Sequence, residues 1–189
     1  MGAIQIFTQL FQKADQIGKY LLLYVMDDFI FNSRDRDGYG YPELFWPVLE
    51  SNILFEFTDI SDVGRLVGGF LCRTGGVQVT RSYLIHTLLS DDKTKHTNAF
   101  MGFYATGHTL ESLRIVVKVA PKPNESNAQL FVLIYRDAYV FFATHKDLKL
   151  TNDDKAVFTA FFTLGLSSPN SFVIDSCQEA LAVLGEMTI

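Results

Sequence analysis

Basic clusters, paired cysteines and long apolar runs are all missing from this sequence. No block of Lys or Arg occurs, and 16 basic residues stand against 21 acidic ones, for a net charge of −5. A large phosphate-binding footprint is therefore excluded, and no nucleic-acid partner is expected. Two cysteines are present, Cys72 and Cys177, far apart in the chain. They form neither a disulfide framework nor a zinc pattern, and they fit a reducing compartment. His96, His108 and His145 lack the short-spaced pairing of zinc ligands. There is no Walker loop, and "GYGYPE" lacks the third glycine of a dinucleotide-binding turn. No metal and no cofactor is expected. The densest early apolar run, "YLLLYVM", is too short to span a bilayer. The N-terminal "MGAIQIFTQLFQKADQ" has no basic segment leading into a continuous apolar stretch. Ile6 also stands where a myristoylation motif takes Ser or Thr. The expectation is a soluble, cytoplasmic or otherwise intracellular protein without a membrane partner.

Aromatic side chains are what the sequence has in quantity: 17 Phe and 8 Tyr in 189 residues. They bury large areas and favour sheets and interfaces. The length suits one globular domain, residues 1–189, with a core that needs no covalent staple. Ile4, Phe7, Phe11 and Ala14 follow helical spacing, with Gly18 as a stop. "YLLLYVM" is apolar on both faces and reads as a buried strand, paired with "FIF" across a turn at Asp27-Asp28. Pro42 opens a helix that Pro47 cuts short, and "ILFEFT" reads as a strand. Ser61 caps a helix that Gly75-Gly76 ends, and a further helix covers Thr80–Leu89. Between residues 98 and 144, four runs rich in branched and aromatic residues read as strands of an antiparallel meander. Within it, residues 130–135 are apolar on both faces, so both must be covered, one by the N- and C-terminal helices and the other by the helices between residues 61 and 89 or, if these do not cross over, by a second copy of the chain. Thr151 with Asp154 and Ser176 with Glu179 resemble capping boxes of two closing helices. The fold expected is α+β: a mainly antiparallel sheet flanked by N-terminal, middle and C-terminal helices.

The stretch "NSRDRDGYGYPELFW" invites a chemical reading. "DRDGYGYPEL" partly resembles the calcium loop of EF-hand proteins, with Asp35 at position one, Asp37 at three and Gly40 at six. Position five is Tyr39, position eight Pro42, and position twelve, where a bidentate glutamate belongs, is Trp46. The stretch therefore reads as a glycine-rich surface turn, with Tyr39, Tyr41 and Trp46 as contact residues for a partner. "LLLYVMDDFIF" resembles the strand–Asp-Asp–strand hairpin of reverse transcriptases, which would make Asp27 and Asp28 metal-binding carboxylates. It departs from that family in having no aspartate upstream of Asp15.

Cys72, in "FLCRTGG", has Arg73 beside it to lower its pKa, but it sits at a helix C-terminus, the wrong end for a thiolate. Ser82 and His86 are one helical turn apart, yet no nucleophile elbow accompanies them. Catalytic candidates thus reduce to Asp27, Asp28 and Cys72. The leading functional expectation is a non-enzymatic module that binds another protein: an adaptor, inhibitor or immunity-type protein, with a homo-oligomer as a further option. The rivals are a small metal- or cysteine-dependent hydrolase and a viral or other assembly subunit.

Overall fold

The structure, a computed structural model, describes residues 2–32, 41–56, 62–122 and 128–187. It overturns the α+β expectation: the described residues contain helices and no strand. The chain forms two compact units, Met1–Thr106 and Gly107–Ile189.

The first unit begins with α1 (Ala3–Lys13), where Phe7 and Phe11 are buried as the helical spacing predicts. The expected stop at Gly18 is not used. The break falls at Ala14, and Asp15 caps the next helix by accepting the Gly18 N–H at 2.7 Å. That helix, α2 (Gln16–Asn32), runs straight through "YLLLYVM", Asp27, Asp28 and Phe29, so the expected hairpin does not exist. The error has a physical cause. A run that is apolar on every side carries no periodicity, and burial alone cannot distinguish a strand from a helix.

α3 (Pro42–Glu50) starts on Pro42 as expected, but it continues past Pro47. Pro47 has no N–H for the Glu43 carbonyl, and the nearby Thr8 hydroxyl, 3.5 Å away, has the Ile4 carbonyl as its closer acceptor at 3.0 Å. "ILFEFT", expected as a strand, contributes a 3-10 turn, Ile53–Phe55, entered through Asn52 at φ 54°. Ser61 lies outside the described residues. The helix it was expected to cap is α4 (Val63–Gly75), and Gly76, at φ 92°, turns the chain into α5 (Val77–Leu88). α6 (His96–Thr106) follows where the first meander strand was expected. Glycine brings these helices together. A Cβ at Gly68 would lie 2.9 Å from the Gly102 backbone, and one at Gly64 would lie 2.7 Å from the Asn98 carbonyl. Backbone meets backbone there, so residues 98–103 of α6 are all buried and show no alternation, and Thr97 and Tyr104 are the helix's exposed residues.

In the second unit, α7 (Leu110–Val119) replaces the second expected strand and opens on a capping box of Thr109 and Ser112. α8 (Ala128–Thr144) replaces the last two strands with one helix of 17 residues. Arg136 and Asp137 lie within it. Leu130, Phe131, Ile134 and Tyr135 are buried, while Val132 and Leu133 are half-buried. Helical spacing thus replaces the two-sided strand. α9 (Asn152–Gly165) begins with the expected Thr151–Asp154 box. α10 (Ser171–Glu186) begins at Asn170, not at Ser176. Ser176 lies in mid-helix and donates to the Phe172 carbonyl. Tyr135 stacks on Phe161 at 4.4 Å, and Phe142 meets Phe158 edge-on at 4.8 Å. Aromatic rings therefore fill this core.

Candidate functional site

α2, α4 and α6 border a cleft of about 640 Å³ in the first unit. Cavities of a few hundred cubic ångströms are of ligand-binding size. Asp27 of α2 and Cys72 of α4 both line it, so two of the three catalytic candidates do converge. Asp28 does not line it. It is exposed on another side of α2, because adjacent helical residues point about 100° apart.

The cleft's chemistry is that of closed pairs. Arg73 Nε donates to Asp27 Oδ1 at 2.8 Å, and Arg73 Nη2 reaches the same oxygen. Gly69, one turn earlier on α4, leaves room for that guanidinium to lie across the helix. Arg65 lies over the Tyr104 ring at 4.1 Å and faces Asp62 at 3.9 Å. Cys72 is buried, and burial pushes its thiol up more strongly than the Thr80 hydroxyl and the Arg73 and Arg81 charges pull it down. The arginine that was expected to activate the thiol is committed to Asp27. No histidine lines the cleft. A cysteine nucleophile needs a base within reach, and the two carboxylates that line the cleft, Asp27 and Asp62, each face an arginine.

The other polar candidates are dispersed. Ser82 and His86 are exposed on α5. His96 bonds the Ser90 carbonyl at 3.2 Å, His108 the Ser112 hydroxyl at 3.4 Å, and His145 the Phe141 carbonyl at 2.8 Å. Among the described residues no three His, Cys, Asp or Glu side chains are grouped to hold a metal ion. Asp35, Asp37 and Tyr39 lie outside the described residues. Tyr41 is half-buried, and its N–H donates to the Thr74 carbonyl at 3.1 Å, tying the start of α3 to the end of α4. Trp46 is exposed on α3, edge-on to the buried Phe45 ring at 5.1 Å.

A second surface has no counterpart among the sequence candidates. Ile6 and Leu10 of α1, with Ile17, Leu21, Tyr24, Val25 and Phe29 of α2, are each 44–68% exposed. Between the two helices runs a groove of about 230 Å³, lined by Ile6, Phe7, Leu10, Leu22, Val25 and Met26. A helix apolar on every side is ordinarily enclosed by protein or lipid. Here Leu23 and Met26 are buried, while the opposite stripe meets water. Reading α2 as a strand concealed this face. As a helix, its lack of a polar side would have announced it. Among the described residues no helix is long and apolar enough to cross a membrane.

Comparison with protein families, with curated proteins and with solved structures returns no match for this chain.

Proposed function

We propose that the chain is a non-enzymatic interaction module, an adaptor, inhibitor or immunity-type protein, that binds another protein through the α1–α2 face. One observation carries this reading: seven large apolar side chains stand exposed on two adjacent helices around an apolar groove. Apolar surface in water costs about 25 cal/mol per Å², and monomers rarely keep more than a few hundred Å² of it in one patch. The hydrolase reading receives less support. Its two converging candidates are a carboxylate held by Arg73 and a thiol whose burial disfavours the thiolate. Both cysteines are free thiols, which suits work inside a reducing cell compartment.

The experiment compares the tagged wild-type protein with Val25→Asp. Val25 is exposed, so the variant should keep its helical circular dichroism and its melting temperature. It should lose a stoichiometric partner that the wild-type protein and Ser82→Ala both retain. A Val25→Asp variant that holds the same partner at the same stoichiometry would sink the proposal.

A further inference from the structure

The cleft bordered by α2, α4 and α6 holds an arginine whose hydrogen-bonding capacity is unspent. From it we infer that this cleft binds a small molecule bearing one oxyanionic group, a carboxylate or a phosphate, on an apolar body, and that the Arg65 guanidinium is its anchor. The inference does not depend on the reading of the α1–α2 face.

Other arginines of the chain show what a committed guanidinium does. Arg73 Nε donates to Asp27 at 2.8 Å, Arg114 donates twice to Asp154 at 2.7 Å, and Arg81 donates to the Thr106 carbonyl at 2.6 Å. Arg65 differs. Its partners among the described residues are the Tyr104 ring, 4.1 Å from the guanidinium carbon, and the Asp62 carboxylate at 3.9 Å. The second distance is too long for a hydrogen bond, and Asp62 is 72% exposed, so water competes for it. An arginine carries five N–H donors in a planar fork. Arg65 makes no hydrogen bond with any of them among the described residues. The Tyr104 ring covers one face of the plane and so fixes its orientation, while the N–H edge remains available. A guanidinium held in this way binds a carboxylate or a phosphate through two parallel hydrogen bonds with little further loss of freedom.

The walls of the cleft narrow the ligand class. Arg65 and Arg73 face Asp27 and Asp62, so the charged side chains of the lining sum to zero. A polyanion would meet two carboxylates there, which leaves room for one negative group and not several. Tyr24, Leu66, Val77 and Ala105 supply an apolar lining for the rest of the molecule. The volume of about 640 Å³ is that of a small-molecule site. A cationic ligand is a poorer fit, because Asp27 is already bonded to Arg73 and Asp62 lies mostly in water.

The test is a calorimetric titration of the whole chain with naphthoate, naphthyl phosphate and the uncharged naphthol. At least one of the two anions should bind with a Kd below about 1 mM, and the tighter one identifies the oxyanion. Arg65→Met should weaken that anion about tenfold, the loss expected for a charge-assisted hydrogen-bonded pair. Naphthol should bind more weakly than the anion and respond little to Arg65→Met. Asp62→Asn removes the competing carboxylate, so it should bind the anion at least as tightly as the wild-type protein does. Val25→Asp, which alters the α1–α2 face, should leave the titration unchanged. That control separates this inference from the interaction-module reading. Circular dichroism confirms that each variant stays folded; Arg65 and Asp62 are both exposed. The inference is overturned if neither anion binds below about 1 mM, if Arg65→Met binds as the wild-type protein does, or if naphthol binds as tightly as the anions. A loss of binding in Asp62→Asn would also overturn it, because the carboxylate and not the guanidinium would then hold the ligand.

Discussion

The two units solve the same problem, holding helices together, by opposite means. In Met1–Thr106 the central contact is thin: Gly64 and Gly68 of α4 lie against Asn98 and Gly102 of α6, so the backbones nearly touch. In Gly107–Ile189 the contact is thick: Tyr135, Phe142, Phe158, Phe161 and Phe162 interleave their rings between α8 and α9. A glycine contact gains its energy from close approach and tolerates no added atom. An aromatic core gains it from buried area and suffers most from deletion. The first unit also leaves an apolar stripe on α1 and α2 in water, whereas the exposed apolar side chains of the second are divided among α8, α9, α10 and the turn at Leu166.

Opposite substitutions give the strongest test of this contrast. Phe142→Ala should cost about 3–5 kcal/mol, by lost burial and a cavity. Hydrogen exchange should show the loss across α8–α10, with the amides of α4–α6 still protected. Gly68→Val should cost roughly 2–3 kcal/mol, because the Gly102 backbone cannot yield to the new side chain. Its loss of protection should fall in α4–α6. If either substitution lowers protection equally in both units, the two do not unfold separately and the contrast fails.

A smaller effect should separate the units by acid. Arg114 holds Asp154 through two hydrogen bonds of 2.7 Å, and Thr151 adds its hydroxyl and N–H. The Arg114 guanidinium, first among these, keeps the Asp154 carboxyl well below the usual carboxylate range. A group lowered in the folded state adds stability above its unfolded value of about 4 and loses it as pH falls toward the folded value. Arg114 is half exposed, so solvent screening limits the pair to about 1–2 kcal/mol. Arg114→Met should therefore destabilise the second unit at pH 7 and flatten its loss of stability below pH 4. An unchanged melting temperature at pH 7 would show that the pair contributes nothing.

The smallest difference concerns the two thiols. Cys72 lines the open cleft, whereas Cys177 is enclosed beside Gly165 and Tyr135. Burial pushes the Cys177 thiol up to about 12, which leaves on the order of one thiolate in ten thousand at pH 8. Alkylation at pH 8 followed by mass spectrometry should modify Cys72 first and Cys177 only as the second unit opens. Both should react far more slowly than a free thiol. Equal rates would mean that the cleft gives no access to Cys72.

The sequence by itself determined features whose causes lie within a few residues. The helical spacing of α1, Pro42 at the start of α3, Gly76 after α4 and the Thr151–Asp154 box are all legible. Each depends on a side chain meeting its own backbone or on one residue's φ. Ser176 with Glu179 has the same spacing, yet a helix already in progress makes a cap there impossible. Only the tertiary structure decided the class of fold. α2, α6 and α8 are apolar on nearly every side, and without a polar face neither period two nor period 3.6 can be read. It also decided the site. Asp27 meets Arg73 across 46 positions, so an aspartate pair that reads as a turn or a metal ligand becomes half an ion pair. Cys72 has an arginine as its neighbour in sequence, but the neighbour that governs its thiol is the surrounding protein. The α1–α2 face was decided in the same way. Which side of an all-apolar helix stays in water depends on what packs against the others, and no residue on that helix records it.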